Sequence, residues 1–447
     1  MITNHGIHQW QIIPGLPDTG GQNVFVNQLT AALARLGFRV TIANRGGYPH
    51  PVTQRPRRGL RYKDEHQRIL FLEDDVDAFV RKEDMADRMP SLVDSLCSRL
   101  DAEGSTVDLI ISHYWDGAQV GVLYNRSRDE QVTHVWVPHS LGTIKKRNVP
   151  QERWEGLRID QRIAIERSLM PKLDAIAATS SRLSWALQED YAYAGDPLFL
   201  PPCVDTDRYY PRDVPEDHAI WEFLGRRSGL SSDDVRDRKI VTEISRTDTT
   251  KRKDVLLKAF AQAHENVPDS LLVVSIDESE EKLTRELQEL ILDLGLRGNV
   301  ATVGYVWDWL PTLYAVTDIY CTPSIMEGFG MSVQEAAATG VALVASDCVP
   351  FAAEYLVGEN PRELPIEESE GSLSVGEAAV IVPADEMNGF AYALQMLLCD
   401  DALRRTMGRR AHRITVPYFT WDSRVPRFLD ELTLQFQRRR GQGHPET

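Results

Sequence analysis

A chain of 447 residues is too long for one hydrophobic core, and its formal net charge of −16 excludes non-specific binding to nucleic acid or to an anionic membrane surface. Hydrophobic residues at 42% and charged residues at 26% are globular values and exclude a disordered chain. The five cysteines, Cys97, Cys203, Cys321, Cys348 and Cys399, are dispersed without a CxxC pair, so a reducing, cytoplasmic setting is expected rather than a disulfide framework or a zinc site.

The chain opens with little strand, because only residues 1–4 precede His5-Gly6. Nothing there has the charged start and apolar run of a secretory leader, and no stretch approaches the 18 apolar residues of a membrane span. Asp18-Thr19-Gly20-Gly21-Gln22 then leads into residues 24–36, which are apolar at helical spacing and stop at Gly37, a good left-handed terminator. Gly20 and Gly21 let a ligand approach the backbone just ahead of a helix N-terminus. Residues 38–42 alternate as a strand. Residues 107–112, 134–137, 175–179 and 198–200 are apolar runs of buried-strand length, the last closed by Pro201-Pro202.

Residues 211–238 are charged and turn-rich, with a helix expected near 220–224, and read as a connection between domains. The pattern then restarts, with strands expected at 240–244, 271–276, 300–304 and 318–321 and helices at 254–266, 281–294 and 309–315. Two blocks of β–α alternation imply two doubly wound α/β domains, at 1–210 and 239–420. Ligands of such sheets sit at the carboxyl ends of the strands, and for two facing domains that means the cleft between them. Residues 359–377, polar and acidic, read as an exposed insertion or loop, and Arg438-Arg439-Arg440 as a solvated terminus.

The most informative stretch is Ser324-Ile325-Met326-Glu327-Gly328-Phe329-Gly330-Met331-Ser332-Val333-Gln334-Glu335-Ala336. Glu327 lies in a Gly-rich loop and Glu335 in the amphipathic segment that follows. Free backbone N–H groups at a helix start suit anionic or hydroxyl-rich ligands, and a neighbouring carboxylate accepts hydrogen bonds from sugar hydroxyls. Ser245-Arg246-Thr247-Asp248-Thr249-Thr250-Lys251 follows the first strand of the second block. Two cations at a strand's carboxyl end can hold a diphosphate and stabilise charge as it leaves.

Taken in order, Asp18 to Gln22, His113-Tyr114-Trp115-Asp116, Pro138-His139-Ser140-Leu141-Gly142, Ser245 to Lys251 and Glu327 to Glu335 resemble the retaining GT-B glycosyltransferases of family 4. Within them the chain is most similar to the sucrose-phosphate synthase and mannosylfructose-phosphate synthase branch. The resemblance runs from about residue 5 to about residue 435. It implies two Rossmann-like domains facing across a deep cleft, with residues 421–447 forming a helix that crosses back to the first. It assigns His139, Arg246, Lys251 and Glu327 to catalysis. Gly21, Tyr305, Val306, Phe329, Gly330, Met331 and Glu335 go to the donor, Glu335 to its ribose and Tyr305 and Val306 to its base. Where relatives carry a Gly-Gly turn, this chain has Asp347-Cys348-Val349-Pro350-Phe351.

Members of this branch use a phosphorylated acceptor, usually fructose 6-phosphate. The resemblance places that acceptor on Gln22, Lys82, Lys145 and Arg162. The implied reaction is transfer of a hexose from a nucleotide sugar, UDP-glucose being favoured, with retention and with neither metal nor cofactor. The alternatives are another acceptor (a free sugar, glycoside, lipid or polysaccharide) or a GDP-mannose donor. Small-molecule substrates are the expected partners, without nucleic acid or integral membrane association.

Overall fold

The computed structural model describes residues 1–13, 16–277, 281–304 and 306–442. It contains two compact units. The first comprises Met1–Pro202 and the chain from Trp421 onward, and the second is Cys203–Thr420. Residues 211–238 therefore fall within the second unit, where the helix Ala219–Ser228 packs on the strand Val300–Val303.

In the first unit, β1 (Val40–Arg45), β3 (Gln67–Leu72) and β2 (Gly59–Tyr62) pair in that order. A second set follows the order β4 (Leu109–His113), β5 (Thr133–Val137), β6 (Ala175–Ala178) and β7 (Leu198–Phe199). The opening residues join them. Ile2 bridges Ala43 on one side and Ser112 on the other. Ile2 N–H donates to Ile111 O at 3.0 Å, and Thr3 N–H to Ala43 O at 2.9 Å. So short a stub satisfies the backbone of two strands and places His5-Gly6 at their carboxyl ends. The helix Trp421–Gln442 packs on Gly21–Arg35, with the Trp421 ring 5.1 Å from Phe25.

The second unit is an eight-stranded sheet in the order β10 (Val300–Val303), β9 (Ser270–Ser275), β8 (Lys239–Glu243), β11 (Ile319–Thr322), β12 (Ala342–Ser346), β15 (Ala379–Val382), β14 (Ser372–Val375) and β13 (Arg362–Pro365). The first six strands are parallel and, apart from Lys239 and Thr302, buried along their length, as covering helices on both faces require. The last two are antiparallel, so residues 359–377, expected as a loop, contain a hairpin that extends the sheet. The hairpin is polar because Leu373 alone among its strand residues is fully buried. Among the described residues no helix is long and apolar enough to cross a membrane.

Candidate active site

In the second unit, the loop after β8 holds a short 3-10 turn, Thr249–Lys251. Asp248 caps it, accepting from Thr250 N–H at 2.8 Å. Burial works against the Asp248 carboxylate, but the bonds from Thr250 prevail and lower its pKa. The turn is stitched to the glutamate loop, where Ile325 N–H donates to Thr250 O at 2.9 Å. That stitch sets Lys251 beside Glu327, Nζ to Oε1 at 2.5 Å, with Lys251 only 8% exposed. Arg246 is exposed and makes no ion pair among the described residues.

Lys253, only two residues further on, is bound differently. It is buried in an ion pair with Glu243 at 3.1 Å and donates to Ser245 O and Ser275 Oγ. It ties the ends of β8 and β9 together beneath the loop, while Arg252 reaches the exposed Asp385. Arg252 itself has φ 51°, a left-handed conformation uncommon for a side chain of this size.

Gly330 caps the helix Met331–Ala338 at φ 106°. A Cβ there would lie 2.7 Å from Val349 Cγ1, so the turn demands glycine on two counts. Phe351 N–H donates to Phe329 O at 2.8 Å, and the two rings lie 5.3 Å apart. The segment standing where relatives have glycines thus packs directly on this turn. From Met331 on, the first N–H groups of the helix have no partner within it. Val306 is buried, its carbonyl accepting from Trp309 N–H at 2.9 Å, and Tyr305 lies outside the described residues. Burial pushes the Glu335 carboxyl up to about 8, Arg208 opposing the shift.

In the first unit, Lys82, Lys145 and Arg162 line one pocket together with Glu83, Tyr114 and Arg158. Lys82 pairs with Asp18 and lies 3.5 Å from Glu83. Burial would lower Lys82, but Asp18 more than offsets this and raises it. Lys145 also meets Glu83 at 3.5 Å, yet burial, with Arg162 and Lys82 nearby, lowers it to about 8. Arg162 is 5% exposed and internally committed. It bonds Glu166 at 2.7 Å, the Tyr114 hydroxyl, and Ser140 O at 2.6 Å, with its guanidinium 4.3 Å over the Tyr114 ring.

Gly21 opens the helix Gly21–Arg35, and the Gln22 amide donates to Thr3 Oγ1 at 3.1 Å. Neither lines that pocket. His139 Nε2 lies 2.9 Å from His113 Nδ1, and burial lowers His139 to about 3. It is therefore a neutral hydrogen-bonding ring. Tyr114, His139 and Arg158 all have positive φ, at 65°, 56° and 45°. Such strain around one place is a mark of a functional site. Glu83, Tyr114 and Arg158, which line the pocket, and Asp18, Ser140 and Glu166, which bond its cations, were not singled out from the sequence for this role. Only the four-residue spacing of Arg162 and Glu166 within one helical run signals such a pairing locally.

Residues 19–208 match the family model Glycosyltransferase Family 4, and residues 231–413 match Glycosyl transferases group 1. The chain is 28% identical over 358 residues to mannosylfructose-phosphate synthase of Agrobacterium fabrum, covering 77% of this chain and 75% of that protein. It is 27% identical over 412 residues to D-inositol 3-phosphate glycosyltransferase of Corynebacterium aurimucosum, covering 89% and 87%. Among solved structures, sucrose-phosphate synthase of Thermosynechococcus elongatus has a TM-score of 0.72 at 22% identity, covering 99% and 98% of the two chains, a likeness of fold.

Proposed function

Because this chain belongs to the GT-B glycosyltransferases of family 4, we propose that it transfers a hexose from a nucleotide sugar, UDP-glucose being favoured, to a phosphorylated sugar such as fructose 6-phosphate. The observation that carries the acceptor reading is the gathering of Lys82, Lys145 and Arg162 on one pocket of a strongly acidic chain. A phosphate dianion suits such a pocket, since Asp18 and Glu83 already occupy part of its positive charge and would yield to a stronger ligand. Two of the relatives carry names that include a sugar or inositol phosphate.

On the donor side, Arg246 and Lys251 hold the diphosphate and stabilise the charge that develops as the nucleotide leaves. Glu327 orients Lys251, which donates to it. The N–H groups around Phe329, Gly330 and Met331 bond the hexose hydroxyls, Glu335 the ribose, and Val306 contacts the base. We assign a retaining course in which the acceptor hydroxyl attacks the face the nucleotide leaves. The departing phosphate oxygen takes the acceptor proton, so no dedicated base and no metal enters the scheme. His139, being neutral, supplies a hydrogen bond rather than charge. The five free cysteines support a reducing, cytoplasmic setting.

A second reading, an inositol phosphate acceptor, is favoured by the Corynebacterium aurimucosum relative. The deciding experiment offers UDP-, GDP- and ADP-linked glucose and mannose with fructose 6-phosphate, free fructose and inositol 3-phosphate. Nucleotide release, product mass and anomeric configuration are read, with and without chelator. UDP-glucose and fructose 6-phosphate should give an α-linked, phosphorylated product at undiminished rate in chelator. Equal transfer to free fructose would remove the phosphate-acceptor reading.

A further inference from the structure

The loop that carries Arg246 and Lys251 is closed by the residue that ends it. Lys253 opens the helix Lys253–Asn266 and is 2% exposed. Its ammonium donates to Ser245 O, where the loop begins, at 3.0 Å. It also donates to Ser275 O and, at 2.9 Å, to Ser275 Oγ at the end of β9. Ser275 Oγ in turn accepts from Ser245 N–H at 2.9 Å and donates to Ser245 O at 2.5 Å. A second tie lies two residues on, where buried Thr247 accepts at Oγ1 from Asp277 N–H at 2.8 Å. Glu243, wholly buried at the end of β8, meets Lys253 at 3.1 Å and balances its charge. The left-handed turn at Arg252 stands between the two lysines, of which Lys251 goes to Glu327 and Lys253 to Glu243.

A buried ion pair contributes little net stability, because desolvating two charges offsets their attraction. The return here is geometric. Three protein acceptors take the three N–H donors of Lys253, so it holds the loop and not a ligand. Arg246 adjoins one end of the closure, and Lys251 lies two residues from the other. Fixing those ends on two strands and a helix start restricts the separation of the two cations, which is what preorganised donors require. We propose that Lys253 is a positioning residue for the donor diphosphate, setting the spacing of Arg246 and Lys251 by closing their loop onto β8 and β9, with Glu243 as its counter-ion. This rests on the donor reading above and deepens it.

The test measures calorimetric binding of UDP and UMP to the full chain, with the ADP–AMP and GDP–GMP pairs beside them, together with donor kinetics and thermal melts. The variants are Lys253→Met, Lys253→Met combined with Glu243→Met, and Ser275→Ala, with Arg246→Ala and Lys251→Ala as references. The wild type should prefer the diphosphate over the monophosphate by about 10-fold or more, from charge-assisted bonds to the second phosphate. Lys253→Met alone strands Glu243 and should lower the melting temperature, and the double variant should regain most of it. In the double variant the diphosphate preference should still shrink by roughly 3- to 10-fold, with monophosphate affinity kept and kcat down about 10-fold. Ser275→Ala, which removes one arm of the closure, should move the same way, and it carries the test if the Lys253 variants do not fold. A folded double variant with the parent's diphosphate preference and kcat would overturn the inference. So would equal weakening of diphosphate and monophosphate, the mark of a merely structural role. Failure of the wild type to bind any of the three diphosphates, or an unchanged preference in Arg246→Ala and Lys251→Ala, would instead sink the donor reading, and the inference with it.

Discussion

Lys251 and Glu327, 76 residues apart in the chain, meet at 2.5 Å between Nζ and Oε1. The pairing removes rotamer freedom from the lysine proposed to meet the leaving diphosphate. Lys251→Ala should lower turnover by about 10²–10³, the range for loss of one preorganised donor at developing negative charge, while the fold stays intact. Glu327→Gln should cost less, and the double variant should cost less than the product of the singles, because the two act as a unit. Steady-state kinetics with a thermal melt checks this, and normal turnover in Lys251→Ala would refute the assignment.

Arg162 poses a different problem, since a cation committed to Glu166, Tyr114 and Ser140 is part of the frame as well as the site. Arg162→Ala strands the buried Glu166 carboxylate. The expected loss of stability is about 3–5 kcal/mol, as for breaking a buried ion pair from one side. Lys82→Ala, at the half-exposed rim, should instead raise acceptor KM with little change in stability. Urea denaturation of the two variants separates these outcomes, and an Arg162→Ala protein as stable as the parent would contradict the commitment described here.

The parallel strands of the second sheet could be read in advance because they are buried on both faces. Leu271-Leu272-Val273-Val274 is an unbroken apolar run, and all of it lies in the core. The hairpin of β13 and β14 could not, since it sits at the sheet edge and Arg362 and Glu363 face solvent. Residues 1–4 are too short for any periodicity, yet Ile2 joins two strands through backbone hydrogen bonds that composition does not reveal. At the site, residue types and order were readable, and pairings were not. Lys82 with Asp18, His113 with His139 and Lys251 with Glu327 are all long-range contacts. Spacing alone does not separate Lys251 from Lys253, two basic residues in one short run that only the family resemblance told apart, and the structure pairs the first with Glu327 and the second with Glu243.

Lys145 should give the proposed acceptor pocket a pH dependence. Burial and neighbouring cations lower its ammonium to about 8, so the pocket loses one positive charge as pH rises past that value. A phosphate acceptor is already a dianion there, so its affinity should fall between about pH 7.5 and 9. Acceptor KM should therefore rise over that interval at constant kcat. Lys145→Met should raise KM at pH 7 and flatten the profile. An unchanged slope in the variant would show that another group titrates.

Glu335 links ionisation to stability with the opposite consequence. Its carboxyl is raised to about 8 by burial, against an ordinary value of 4.5. The folded protein therefore binds this proton more tightly than the unfolded chain does. The stabilising contribution is complete below about pH 4.5 and is lost as pH rises through 8. Glu335→Gln keeps the shape without the titration. The variant's melting temperature relative to the parent should climb from pH 5 to about pH 8 and level off above it. Saturating nucleotide should shrink that gain in the parent's favour, because ribose hydroxyls would solvate the carboxylate that burial otherwise leaves exposed to its own charge. A stability difference independent of pH would mean that Glu335 does not titrate differently in the folded and the unfolded chain.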